Sequence, residues 1–178
     1  FNSRYDRYAH GDNDALSELE LKGHNIFRSF VARCSQCHTP PLFTNSELAA
    51  IGAPESPGHA FDPGAGTHHP GMALTGAFKV PTLRNITRTA PYMHSGALPE
   101  LLDVVQFYND DRGHALPEGV DVLIHWHIAN PGLRADEEVA LIAFLHTLED
   151  ETATPVSPAA VPSGLDVMGA FEHATVRR

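Results

Sequence analysis

Cys34-Ser35-Gln36-Cys37-His38 contains both cysteines of the chain. Two thiols three positions apart can each add to a vinyl group of one haem, and the histidine directly behind them reaches the iron from below. Half a zinc site and a thioredoxin-like thiol pair are the competing readings. Zinc needs two further ligands at finger-like spacing, and a redox pair sits near a βαβ pattern. Neither context is visible. The pentapeptide reads as the attachment site of one c-type haem, anchored by Cys34 and Cys37 with His38 as proximal iron ligand.

Upstream, Ser17-Glu18-Leu19-Glu20 has the form of a capping box, with Ser17 and Glu20 serving each other's backbone donors. Leu19, Gly23, Ile26, Phe27 and Phe30 recur at three- and four-residue steps and predict one apolar helical face running directly into the cysteines. Gly23 weakens a helix, so its presence implies that another backbone packs closely there. Residues 1–16 read as polar and irregular, a segment leading into the domain.

Downstream, residues 39–79 form a long region rich in proline and glycine, with a short helical turn expected around Ser46–Ile51. A loop of this length is functional or wrapped around something, and a haem is something to wrap. His59, His68 and His69 within it read as solvated loop residues rather than iron ligands. Pro81 and Pro91 keep their predecessors extended, so the stretch between them should follow the haem edge without regular structure. Arg84 there is either a partner for a haem propionate or an ordinary surface arginine.

A second helix opens near Pro99 and places Leu101, Val104, Val105 and Tyr108 on one face. A third is expected from about Asp136 to Leu148, apolar nearly all round and therefore buried. Crossing of the first and last helices predicts an all-α fold, a class I cytochrome c-like domain wrapped around one covalent haem with long irregular loops. The stretch 115–132 reads as irregular and holds the only tryptophan, Trp126. The divisions are 1–16, a haem domain at 17–150 and an extended, proline-rich tail at 151–178.

With 12 Lys+Arg against 22 Asp+Glu the net charge is −10, and haem propionates would add to it. Such a balance argues against nucleic acid or an anionic membrane as partner and favours a basic or dipolar protein. No apolar run approaches the length of a membrane span. The first residues are no signal peptide. Because haem is attached outside the bacterial cytoplasm, an exported or periplasmic protein with its leader removed is expected. No cysteine remains for a disulfide, which leaves the stapling role to the haem.

Several stretches together carry a resemblance. Ala77–Asn85 (AFKVPTLRN), Thr89–Gly96 (TAPYMHSG) and Leu101–Asn109 (LLDVVQFYN) closely resemble the C-terminal haem domain of bacterial di-haem cytochrome c peroxidases and their MauG-like relatives. Cys34–Asn45 is similar to that family's haem loop, Gly132–Asp150 to its closing helix, and Ser3–Gly23 to the bridge before its second haem motif. The likeness covers roughly residues 3–150. Those proteins carry two haems and this chain has one attachment motif, so it is expected to be half of a longer or composite protein, with a second haem domain or redox protein as partner. Leu48-Ala49-Ala50-Ile51 departs from the family's polar-aromatic run.

The resemblance also implies the sixth iron ligand. Its register places Tyr108 at the distal position, where peroxidases of the family use methionine and MauG-like members use tyrosine; a core tyrosine bonded to a propionate is the alternative. Met93 is the second candidate, because a loop methionine ligates iron in monohaem cytochromes. His94 is read as a hydrogen-bonding residue close to the haem. His24, His125, His127 and His146 read as helix-face or surface histidines. Related proteins bind calcium between their haems with backbone carbonyls, which makes the backbone near Thr82 a calcium candidate without an acidic cluster to support it.

Three functions compete: an electron-transfer haem module, a peroxide-reactive oxidoreductase, and a structural or sensory haem subunit. For the second, no Glu or His is placed by the sequence to give acid–base help. The expectation is the first, with single electrons passing to or from a second haem or redox partner.

Overall fold

The computed structural model describes residues 1–69, 74–109, 118–152, 160 and 162–163. Among the described residues there are five α-helices, α1 (Arg4–Ala9), α2 (Glu18–Phe27), α3 (Cys34–Cys37), α4 (Leu101–Asn109) and α5 (Ala135–His146), and one antiparallel pair of strands, β1 (Leu48–Ala50) and β2 (Ala77–Lys79).

The capping box of α2 forms as expected: the Ser17 amide donates to Glu20 at 2.8 Å and the Glu20 amide donates to Ser17 Oγ at 3.4 Å. Close approach at Gly23 is also observed. A methyl group there would lie 1.9 Å from the carbonyl oxygen of Ala140, so the α2 backbone sits directly against α5. Around this crossing Phe27, Phe43, Phe144 and Leu148 are fully enclosed. Leu101 and Val105 of α4 join Leu141 and Leu145 of α5 in the same core.

Four expectations are corrected. Residues 1–16 are not all irregular, because Ser3 and Asp6 form a second capping box that starts α1. The first helix does not run straight into the cysteines; it stops at Phe27, and a turn separates it from α3. Phe30 therefore leaves the buried face and is 87% exposed. The expected helical turn at Ser46–Ile51 is instead β1, paired Leu48 with Lys79, Ala49 with Phe78 and Ala50 with Ala77, so the fold is helical with a small sheet rather than all-α. Finally, α5 is not buried on every side, since Val139 faces solvent. Most of the 151–178 tail lies outside the described residues.

The entry to α5 is fixed by a contact that sequence reading missed. Asn109, the last residue of α4, donates to the Leu133 carbonyl and to Glu138 Oε1 at 2.8 Å each. Its own side-chain oxygen accepts from the Leu133 amide at 2.6 Å.

Arg84 does not face the cavity described below. All its N–H groups are engaged elsewhere: two meet Asp6 at 2.7 Å each, one meets Ser3 Oγ, and two meet the Pro41 carbonyl. Its guanidinium lies 4.5 Å from the Phe1 ring centroid. Burial alone would push the Asp6 carboxyl up, but the hydrogen bonds from Arg84 and Ser3 outweigh it and bring it from 3.8 to about 2. A carboxyl depressed on folding contributes stability that is fully present above its unfolded value and lost as pH falls through its folded one. That contribution should therefore disappear between about pH 4 and pH 2. Arg84→Met would leave the buried Asp6 carboxylate without its cation, with only the Ser3 hydrogen bonds remaining, at a cost of about 3 kcal/mol at neutral pH. Denaturant unfolding of the two proteins checks this, and equal midpoints would contradict it.

Candidate haem site

A single helical turn puts residues three apart on one face. In α3 both cysteine side chains therefore wall the same cavity, of about 560 Å³, together with His38. Cofactor sites run from about 300 to 1,000 Å³ and are mostly apolar, and this one is walled by residues such as Phe27, Val80, Leu83, Val105, Leu141 and Leu145. Both cysteines are free thiols. Burial pushes the Cys34 thiol up to about 12 and raises Cys37 as well. Neutral, poorly ionising thiols do not suit a dithiol redox pair.

The His38 ring is fixed in orientation by two backbone carbonyls. Its Nδ1 lies 3.2 Å from the Phe43 carbonyl and 3.1 Å from that of Pro81, so Nδ1–H donates and Nε2 is the nitrogen left for a metal. Burial holds the imidazole below its usual value despite those two hydrogen bonds, which keeps it neutral as a ligand must be.

Tyr108 and Met93 wall the same cavity, so both distal candidates are brought together with His38, and His94 lies on the wall with them; Arg84 does not. Leu101, Val104 and Val105 share the Tyr108 face of α4, as the periodicity predicts. Burial first, and the nearby Cys34 and Cys37 next, raise the Tyr108 phenol well above its ordinary value. Pro81-Thr82-Leu83 borders the cavity without regular structure, but the segment up to Pro91 is not irregular throughout, because Ile86–Arg88 forms a turn of 3-10 helix. His59, His68 and His69 are exposed and stand away from it.

His94 has a partner the sequence did not reveal. Its ring stacks on Phe78 with centroids 4.0 Å apart, and its Nε2 lies 3.0 Å from Glu55 Oε1. Desolvation raises the Glu55 carboxyl, but the Asp62 amide and His94 outweigh that and hold it below the usual range. Ser95 Oγ donates to the Pro54 carbonyl at 2.8 Å and Ser56 Oγ to the Ser95 carbonyl at 2.5 Å, clipping the two loops together. Only the pattern Pro54-Glu55-Ser56-Pro57 marks this loop in the sequence, and it names no partner.

Thr82 Oγ1 donates to the Leu42 carbonyl at 2.5 Å. Among the described residues no group of three or more His, Cys, Asp or Glu side chains is placed to hold a metal ion. No described helix is long and apolar enough to cross a membrane.

Paired cysteines, an oriented imidazole and an apolar cavity of this size fit a covalently held haem. Among curated proteins the chain is 32% identical over 190 residues to the methylamine utilization protein MauG of Paracoccus denitrificans, covering 88% of this chain and 48% of that protein. It is 31% identical over 170 residues to the cytochrome c551 peroxidase of Nitrosomonas europaea, covering 92% of this chain and 44% of that one. Among solved structures it superposes on a MauG-like protein associated with microbial copper homeostasis with a TM-score of 0.75 and 30% identity, over 87% of this chain and 51% of the other. The di-haem peroxidase BthA of Burkholderia thailandensis gives a TM-score of 0.65 at 28% identity. No family profile matches the chain. The chain belongs to the family of di-haem cytochrome c peroxidases and MauG-like proteins, and it spans about half the length of the relatives it matches.

Proposed function

We propose that this chain is an electron-transfer haem module, corresponding to the C-terminal haem domain of its family. It would pass single electrons to or from a second haem domain or redox partner. One observation carries the reading: the cavity wall holds the oriented imidazole of His38 together with Tyr108 and Met93. An iron bound on both faces moves electrons, whereas an open face admits peroxide. A c-type haem supplies a one-electron ferric/ferrous couple whose potential is set by its axial ligands. Cys34 and Cys37 would anchor it, His38 would supply the proximal nitrogen, and Tyr108 is the first choice for the distal ligand, ahead of Met93. The apolar wall excludes water and so limits solvent rearrangement when the charge changes.

The partner reading draws on the shared length, since the matched relatives are about twice as long. Export follows from the same chemistry, because haem is attached outside the bacterial cytoplasm. A calcium ion held by the backbone near Thr82 remains part of the proposal, resting on the resemblance alone.

A second reading has one observation in its favour. The Glu55–His94 pair is an acid–base couple whose imidazole borders the cavity, and peroxide chemistry needs such help. Reductive titration of the purified haem-loaded chain separates the two. Reversible uptake of one electron per haem without sustained peroxide turnover is expected. Sustained turnover of peroxide by the isolated chain would replace the electron-transfer reading with the peroxidase one.

A further inference from the structure

We infer that Arg33 and His127 together form the subsite for a haem propionate, the role that Arg84 does not fill. The inference rests on the haem reading above and concerns which residues meet the cofactor's carboxylates. Both residues wall the cavity. Among the described residues, Nδ1 of His127 is the buried side-chain polar atom left without a hydrogen-bond partner. A buried, unpaired donor or acceptor costs about 1–3 kcal/mol, so native structures supply it with a partner.

Arg33 presents the matching half. Its Nε donates to the Phe30 carbonyl at 2.9 Å, and among the described residues its terminal nitrogens have no ion pair. Burial first, then the neighbouring His125 and Arg33, hold His127 below its usual value. A cation and an unpaired imidazole nitrogen on the wall of one cavity form an incomplete arrangement that one carboxylate completes. The guanidinium would donate to its oxygens and Nδ1–H of His127 would donate as well. No bond is made or broken, and the proton stays on Nδ1.

The other charged side chains on the wall do not compete equally. Asp62 would repel a carboxylate, and the Lys79 ammonium is a point charge without the planar fork of arginine. The His127 ring lies against that of Trp126, with ring centroids 3.5 Å apart. The two rings are tilted to one another, and Trp126 is itself 73% exposed.

The test uses the haem-loaded chain and resonance Raman of the propionate bending band. Arg33→Gln and His127→Phe should each shift that band, and Arg33→Lys should restore part of the shift. Lys79→Gln should leave it in place. A band unmoved by Arg33→Gln and His127→Phe together, or moved only by Lys79→Gln, would overturn the assignment. Nitrogen NMR of the unmodified ferrous protein covers the case in which a variant fails to fold. A protonated, hydrogen-bonded Nδ1 at His127 supports the subsite, and an unprotonated Nδ1 overturns it. Absence of haem from the purified chain would instead defeat the haem reading itself, and it shows in the haem count before either spectrum is taken.

Discussion

Gly23→Ala is expected to destabilise the domain by roughly 3 kcal/mol or more, at the upper end of overpacking substitutions. The added methyl would sit 1.9 Å from the Ala140 carbonyl oxygen and 2.8 Å from Cβ of Phe144. Neither neighbour can swing away: the first is helix backbone, and Phe144 is fully buried among Phe27, Phe43 and Leu148. Relief requires α2 and α5 to move apart, which opens the core that backs the haem cavity. Alanine ordinarily stabilises a helix relative to glycine by about 1 kcal/mol, so intrinsic propensity predicts the opposite sign. Denaturant unfolding at neutral pH decides between them. A variant as stable as the parent would show that the two helices are not in backbone contact.

Tyr108→Phe should alter the ferric visible spectrum and raise the midpoint potential. A phenolate ligand favours ferric iron, and axial-ligand identity moves haem potentials over about 0.8 V across proteins. Loss of such a ligand should therefore shift the potential by on the order of 0.1 V. The phenol is held protonated by burial when no cation is near it, so ionisation depends on the ferric charge. Met93→Ala is expected to leave the charge-transfer band in place. The reverse pattern, with an unchanged Tyr108→Phe spectrum and an altered Met93→Ala spectrum, would transfer the distal role to Met93.

Much of this was legible because it is local. The pentapeptide carries its own chemistry over five adjacent residues. The Ser17/Glu20 box and the glycine at the helix crossing are likewise encoded within a turn or two, and the α4 face that carries Tyr108 follows from its periodicity. What escaped was set by partners distant in sequence. Arg84 meets Asp6 from 78 positions away, and His94 meets Glu55 from 39. Strand β1 exists because β2 pairs with it, while Leu48-Ala49-Ala50 on its own has no strand signal strong enough to exclude a helical turn. Helix α1 is the exception, since its Ser3/Asp6 capping box was present in the sequence and was hidden by the polar composition around it.

The most direct test of the account is the mass of the denatured, acid–acetone-extracted chain, purified from cells that attach haem. The polypeptide should be heavier by one haem, with the added mass on the peptide that contains Cys34 and Cys37. A bare polypeptide mass, with the colour gone into the acetone, would contradict it.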